Sequence, residues 1–321
     1  MSDKLISIVI PVYNEEKQIY KNIEIISKIL TKNGINHEFI LVDDGSRDNT
    51  WKELKRLSLN LTGVYAVKLS RNFGKEAALC AGLENVSGDA CVVMDSDLQH
   101  PPEKIPEMFS LWLDEGFDIV ECVKTSRGKE SLTYKLSSLL FYSMLKKLSG
   151  FDFGGASDFK LLDKKVVDAW KEMRERNTFF RGMSTWVGYK KTQIPFVVAD
   201  RLDGNSKWSP LRLIKLAINA MTSFSSLPLY IVTFLGVLFL LGAIPLGIES
   251  LYMYFKGHAV NGFTTVNLLL LIIGSILMIS LGIIGSYIAK IYDEVKQRPR
   301  YLVSERLDSR VRNAYSKLSN D

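Results

Sequence analysis

Two carboxylates stand at i and i+2 where a short apolar run stops, in Cys91-Val92-Val93-Met94-Asp95-Ser96-Asp97-Leu98-Gln99. An apolar run of this length makes a buried strand of the kind found inside a parallel sheet covered on both faces. Residues at the end of such a strand point into the crevice where open α/β sheets take their ligands. Asp95 and Asp97 placed there repel one another unless a positive charge lies between them. Carboxylate oxygens suit a hard divalent cation, Mg2+ or Mn2+, and Mg2+ usually takes one or two carboxylates together with substrate phosphates. The same pattern also describes a solvated acidic turn, so the pair by itself leaves both readings open.

Other polar residues fall at comparable places. A first apolar run ends in Pro11-Val12-Tyr13-Asn14-Glu15, a second in Asp43-Asp44-Gly45-Ser46 and a third in Ser70-Arg71-Asn72-Phe73-Gly74-Lys75. A dinucleotide-binding fold places Gly-x-Gly-x-x-Gly after its first strand. The first turn here has no glycine, which argues against a dehydrogenase and leaves Asp43 for the base or ribose of a nucleotide. Arg71, Asn72 and Lys75 fit a substrate contact and a fixed turn with a helix cap equally well. Further on, Gly154-Gly155-Ala156-Ser157-Asp158-Phe159 sets a carboxylate at the start of an apolar strand. His37, His100 and His258 are scattered, and Cys80, Cys91 and Cys122 lack metal-ligand spacing. The cysteines therefore read as reduced, buried, small apolar residues.

The elements that must hold these residues alternate. Strands over Leu5–Pro11, Glu38–Val42, Val64–Leu69 and Cys91–Met94 are separated by helices. The helices carry the apolar sets Ile19/Ile23/Ile26/Leu30, Trp51/Leu54/Leu57 and Ala77 to Leu83, and a further helix with Ile105, Met108, Phe109 and Trp112 follows Pro101-Pro102. Strict strand–helix alternation predicts an α/β fold with a Rossmann-like parallel sheet, its strand ends gathered along one edge. This domain is expected over residues 1–208, with later strands at 118–122 and 193–199.

The rest of the chain changes character. Ser209-Pro210 opens an amphipathic stretch, 209–224, with Leu211, Ile214, Ile218 and Met221 opposite Arg212, Lys215 and Asn219. Such a helix is expected to lie in a membrane interface. Two apolar stretches follow, free of charge over Leu227–Ile248 and Val266–Ala289 and expected as membrane spans over about 227–249 and 266–289, each long enough to cross a bilayer. The formal charge of +6 is concentrated around them: Lys207, Arg212 and Lys215 before the first, and Lys290, Lys296, Arg298, Arg300, Arg306, Arg310 and Arg312 after the second. By the positive-inside rule, both termini and the catalytic domain are expected in the cytoplasm of a multi-pass membrane protein. Residues 291–321 read as a basic cytosolic tail, and the N-terminus shows no secretory signal.

Taken in order, Ser7-Ile8-Val9-Ile10-Pro11-Val12-Tyr13-Asn14-Glu15, Val42-Asp43-Asp44-Gly45-Ser46, Ser70 to Lys75 and Asp95-Ser96-Asp97-Leu98-Gln99 resemble glycosyltransferase family 2. With Asp158, the loop Arg201 to Lys207 and the two C-terminal stretches, the chain resembles the polyisoprenyl-phosphate glycosyltransferases, among them the bactoprenol glucosyltransferases and dolichol-phosphate mannose synthases. The resemblance implies a GT-A fold and inverting transfer of one sugar from a nucleotide sugar, UDP preferred, to undecaprenyl or another polyprenyl phosphate at the bilayer. It implies that Pro11, Tyr13, Glu15 and Asp43, with Asp44 and Ser96 beside them, hold the nucleotide. Asp95 and Asp97, supported by Gln99, would hold Mg2+ or Mn2+ on the diphosphate. Arg127, Arg201 and Lys207 match in kind the basic residues that the family places around the lipid phosphate. No nucleic-acid partner is implied, and a homo-oligomer is compatible with it.

The chemistry gives Asp158 two readings. An alcohol acceptor needs a general base, and Asp158 is the candidate for that catalytic role. A phosphomonoester, with its second pKa near ~6, attacks without one and leaves Asp158 to orient the acceptor or a sugar hydroxyl. Two competing functions are weaker. A processive polysaccharide synthase carries Gln-x-x-Arg-Trp, which the stretch Arg181 to Trp186 lacks. A non-catalytic scaffold has no need of Asp95, Asp97 and Asp158.

Overall fold

The computed structural model describes residues 3–126, 157–173, 175, 180–197, 227–256 and 263–309. The chain divides into two compact units: one holds the described residues up to Val197 together with those from Pro299 on, and the other holds two long helices between them.

Apolar runs buried along nearly their whole length build the first unit. Strands β1 (Leu5–Val12), β2 (Asn36–Asp43), β3 (Val64–Leu69) and β4 (Ala90–Val93) are joined by helices α1 (Ile19–Lys32), α2 (Thr50–Asn60) and α3 (Lys75–Glu84). β1 pairs in parallel with β2 and β4, and β2 with β3. Ile6, Ile8 and Ile10 of β1 form a core with Ile23 and Ile26 of α1 and Leu54 of α2. The opposite face carries α3, which is buried from Ala77 to Leu83. A Cβ on Gly82 would lie 2.3 Å from Val9 Cγ1. Glycine there lets α3 press against β1, which fixes where its N-terminal residue, Lys75, emerges.

After β4 come α4 (Ile105–Leu113), β5 (Ile119–Ser126), β6 (Lys160–Asp163), α5 (Lys164–Glu172), α6 (Phe180–Trp186) and β7 (Lys191–Val197). The eight-stranded sheet runs β7-β5-β6-β4-β1-β2-β3-β8. It is mixed, which corrects the expectation of a parallel sheet: β6 is antiparallel to β4 and β5, and β8 (Val303–Asp308) is antiparallel to β3. The reversal at β6 has a functional consequence. It brings Asp158, at the start of that strand, to the same edge as the C-terminal end of β4.

Strand β8 also corrects the reading of 291–321 as a tail, because residues 303–308 close the sheet at the β3 edge. Ser70 N–H donates to Leu302 O at 2.8 Å, and Val64 N–H donates to Ser309 Oγ at 2.9 Å. Trp51 Nε1–H donates to Glu305 at 2.9 Å, and Lys55 pairs with the same carboxylate at 2.9 Å.

In the second unit a helix occupies each of the two apolar stretches, α7 (Leu227–Phe255) and α8 (Phe263–Val295). Their apolar side chains are open: Phe234 and Ile248 on α7 and Met278 and Ile279 on α8 are each more than 60% exposed. Among the described residues one stretch, Ile272–Val295, is both long and apolar enough to cross a membrane, and none of its most apolar window is buried. The expected amphipathic helix 209–224 lies outside the described residues.

Candidate active site

Three turns at the strand ends are laced together before any chemistry is considered. Asn14, in a left-handed conformation (φ 56°), donates its N–H to Ser46 Oγ at 2.9 Å, and its side-chain oxygen accepts the Arg47 N–H at 3.0 Å. Glu15 N–H donates to Thr50 Oγ1 at 2.8 Å. Gly45 (φ 67°) packs so closely on the β3–α3 turn that a Cβ would lie 2.3 Å from the Arg71 carbonyl carbon. Asp44 completes the lacing: its two carboxylate oxygens accept the N–H groups of Phe73 at 2.7 Å and Gly74 at 2.9 Å.

These turns and the end of β4 enclose a cleft of about 350 Å³, lined by residues that include Pro11, Tyr13, Glu15, Asp44, Asn72, Lys75, Asp95, Ser96 and Asp97. Tyr13 is 41% exposed at its mouth. Ser96 is buried, and its carbonyl accepts from Asn22 Nδ2 at 2.7 Å. Asp43 is fully buried and is not among the lining residues. Its Oδ1 accepts the Ser46 N–H at 2.8 Å, while Oδ2 is buried without a hydrogen-bond partner among the described residues. Burial pushes the carboxyls of Asp43 and Asp44 above their ordinary value despite these hydrogen bonds.

At the end of β4, Asp95 N–H donates to His100 Nδ1 at 3.0 Å. Asp97 is exposed and accepts the Gln99 N–H at 3.0 Å. Gln99 thus meets Asp97 through its backbone, and its side chain is not part of the cleft lining. Leu98, at φ 57°, makes the turn between them. No group of three or more His, Cys, Asp or Glu that could hold a metal ion occurs among the described residues. Asp95 and Asp97 nevertheless fit a Mg2+ or Mn2+ ion, since two carboxylates with substrate phosphates are the shell Mg2+ prefers. The site draws positive charge in any case: Lys75 Nζ lies 2.5 Å from Asp95 Oδ1.

Lys75 is the residue that joins β4 to β6, because its ammonium also lies 2.7 Å from Asp158 Oδ2. Arg181, in α6, grips Asp158 from the other side, with Nε 2.7 Å from Oδ1 and Nη2 3.0 Å from Oδ2. The Asp158 side chain is only 7% exposed. Burial alone would raise its pKa, but hydrogen bonds and charge from Arg181 and Lys75 outweigh burial and hold the carboxyl well below the usual range. Lys75 is shifted upward in turn: burial opposes its charge, but Asp95 and Asp158 more than offset that. Beneath them lies a buried pair, Lys160 Nζ 3.0 Å from Glu121 Oε1, with Lys160 also donating to Ser184 Oγ of α6 at 2.7 Å.

Of the residues singled out from the sequence, Pro11, Tyr13, Glu15, Asp44, Ser96, Asp95 and Asp97 share one cleft, and Lys75 links Asp158 to it. Arg127, Arg201 and Lys207 lie outside the described residues. Sequence reasoning left Lys75 undecided and gave Arg181, Glu76 and Lys160 no role. A signal for Lys160 did exist: a lysine follows Asp158-Phe159 directly inside an apolar strand, where a charge needs a buried partner. The three cysteines are free and buried, and Phe180 is core, at 1% exposure.

Residues 7–170 match the domain described as Glycosyl transferase family 2. An uncharacterized glycosyltransferase of Bacillus subtilis, YkcC, is 36% identical over 307 residues, covering 93% of each chain. A protein of Escherichia coli named prophage bactoprenol glucosyl transferase homolog is 35% identical over 307 residues, covering 93% of this chain and 98% of its own. Among solved structures, glucosyl-3-phosphoglycerate synthase from Mycobacterium tuberculosis matches with a TM-score of 0.47 at 22% identity, over 68% of this chain and 77% of that one. That last likeness is too loose to carry an argument.

Proposed function

The chain belongs to glycosyltransferase family 2, and from that membership and the cleft we propose that it moves one hexose from a nucleotide sugar to a polyprenyl phosphate at the cytosolic membrane face. The donor in this reading is UDP-glucose or a related UDP-hexose, the acceptor is undecaprenyl phosphate, and transfer inverts the anomeric carbon. The names of the E. coli and Shigella relatives, bactoprenol glucosyl transferases at about 35% identity, support the lipid acceptor and the sugar. The open apolar surfaces of α7 and α8 support a bilayer around both. The observation that carries the reading is the gathering of Asp95, Asp97, Lys75, Tyr13 and Glu15 around one cleft at the strand ends.

In the transfer, an acceptor phosphate oxygen forms a bond to the anomeric carbon while the bond from that carbon to the diphosphate breaks. The electron pair leaves with the nucleoside diphosphate. Tyr13 and Glu15 at the β1 end are the contacts offered to the nucleoside, with Asp43 behind them. Asp95 and Asp97 would hold Mg2+ or Mn2+, which when bound stabilises the leaving charge as a Lewis acid. The Lys75 ammonium brings further positive charge to the same corner. Asp158 serves in this reading as an orienting anion. A carboxylate whose pKa is held far below neutrality is a poor proton acceptor, and a phosphomonoester with a second pKa near ~6 needs none. Arg127, Arg201 and Lys207 complete the reading as acceptor-phosphate contacts.

The test is direct. Purified protein in detergent is incubated with undecaprenyl phosphate, Mg2+ or Mn2+ and a panel of nucleotide sugars, and the lipid product is weighed by mass spectrometry. One hexose added from one preferred donor is expected, with loss of product in excess EDTA. No lipid-linked sugar from any donor, or a ladder of added sugars, would sink the proposal.

A further inference from the structure

Asp158 is gripped from two directions, and one further carboxylate joins the two grips. Lys75 opens α3, and Glu76 follows it. Phe180 opens α6, and Arg181 follows it. The Glu76 carboxylate accepts the Phe180 N–H at 2.8 Å, and both Lys75 and Arg181 bond to Asp158. The contacts close a ring that runs Asp158, Lys75, Glu76, Phe180, Arg181 and back to Asp158. We infer that Glu76 is a positioning residue for the transfer reaction: it ties the start of α3 to the start of α6, so that Lys75 and Arg181 meet Asp158 together. The inference rests on the reading of the cleft as the site of sugar transfer.

The physical need for such a tie is clear in α6. This helix has seven residues, and isolated helices shorter than about 12 residues are marginal in water. Its place must therefore come from tertiary contacts, and two bracket it. Glu76 holds the first backbone N–H, an orphan donor of the helix start, and Lys160 holds Ser184 one turn later. Lys and Arg lose considerable rotamer freedom when immobilised. Fixing both backbones in advance leaves only the side-chain ends to be ordered, which is how preset geometry contributes to rate. Lys75 is also bonded to Asp95, so a slip of α6 would be felt at the donor end of the cleft.

The role needs an acceptor atom on residue 76 and no charge. Glu76→Gln keeps that acceptor and is expected to retain most of the transfer activity. Glu76→Leu removes it and is expected to lower kcat by about ten- to a hundredfold with little change in donor KM, the loss that one to two such bonds represent. The decisive comparison adds Arg181→Ala. If Glu76 acts through Arg181, Glu76→Leu lowers the rate of the Arg181→Ala variant by less than about threefold, whereas independent losses multiply. Hydrogen exchange of the segment from Phe180 to Trp186 needs no disruptive variant. Slow exchange at the Phe180–Arg181 amides in wild type and in Glu76→Gln is expected. Multiplicative losses, a Glu76→Gln variant as poor as Glu76→Leu, or fast exchange of those amides in wild type each overturn the inference. A wild type without transfer overturns the functional reading separately. The tie is then read from denaturation midpoints, which are non-additive for Glu76→Leu and Arg181→Ala if it exists and additive if it does not.

Discussion

One of the two carboxylates at the end of β4, Asp95, and the one at the start of β6 meet the same lysine, yet the two strand ends hold their acids in opposite ways. Asp97 is exposed, accepts one backbone N–H and has no cation on it among the described residues. Asp95 keeps a third of its side chain open and shares Lys75. Asp158 is almost closed off and is saturated by Lys75 and a two-pronged Arg181. Carboxylates with spare oxygens on the cleft side can take a ligand. A carboxylate whose oxygens are already committed to two cations fixes the positions of those cations. The same contrast separates Tyr13, open at the cleft mouth, from Asp44, whose oxygens are committed to the backbone of Phe73 and Gly74.

The largest expected effect breaks the open side. Asp97→Asn should reduce transfer by about a hundredfold or more, since a neutral amide is a poor ligand for a hard cation that supplies several kcal/mol of charge stabilisation. Thermal stability should stay near the wild-type value, because an amide oxygen can still accept the Gln99 N–H and no cation pairs with Asp97 among the described residues. Mn2+ titration in the presence of UDP checks the ligand role and thermal denaturation the unchanged stability, and equal Mn2+ binding by mutant and wild type would remove Asp97 from the metal site.

The clamped side should fail differently. Asp158→Asn leaves Lys75 and Arg181 facing an amide and should cost about 3 kcal/mol of stability at neutral pH, in the range for hydrogen bonds to charged groups and for breaking a largely buried pair. The sign with pH follows from the lowered pKa. The stabilisation is complete above the ordinary carboxylate value of 3.8, starts to fade below it and is lost fully only as pH falls through the much lower value of the folded state. Denaturation of both proteins at about pH 7 and about pH 3 should show the gap begin to narrow in acid. Transfer by the mutant should persist at a reduced rate that rises as the acceptor loses its second proton near pH ~6. Complete loss at every pH would restore the general-base role.

A smaller effect sharpens the tie between the grips. Burial pushes Glu76 from 4.5 up to about 7, with the Phe180 N–H opposing the shift, Asp158 adding to it and Lys75 and Arg181 opposing it. A raised carboxyl pKa stabilises the fold below the unfolded value, and that contribution is lost as pH rises through the folded one. Glu76→Gln does not titrate and should gain on wild type by roughly 2 kcal/mol between about pH 5 and about pH 8. Parallel denaturation curves across that range would contradict it. Smallest of all, Gln99→Ala keeps the N–H that meets Asp97 and should cost less than about tenfold in activity, the worth of a single neutral hydrogen bond.

The open side of the site was legible in the sequence because it hangs on apolar runs. Each of β1, β2, β3 and β4 stops abruptly at its polar residues, so the strand ends could be lined up before any coordinates. The clamped side depends on pairings across long separations, Lys75 with Asp158 and Glu76 with Phe180, which no local pattern encodes. Reversal of β6 was hidden for a related reason, since Lys160-Leu161-Leu162 is apolar enough for either direction. Strand β8 escaped because Val303-Ser304-Glu305-Arg306-Leu307-Asp308 is polar, as an edge strand half open to water tends to be, and its register on β3 was not visible as a hydrophobic alternation.

The position of β8 in the chain bears on how the protein is made. Its residues leave the ribosome after α7 and α8, so β3 carries an unpaired edge throughout the synthesis of both helices. An open edge of this kind is a template for pairing with another chain, and domains begin to fold from the N-terminus while synthesis continues. Completion of the sheet therefore reports that both helices have been synthesised. A shortened protein ending before residue 227 would carry that raw edge permanently, whereas one that splices residues 299–309 back onto the catalytic unit should stay monomeric and soluble.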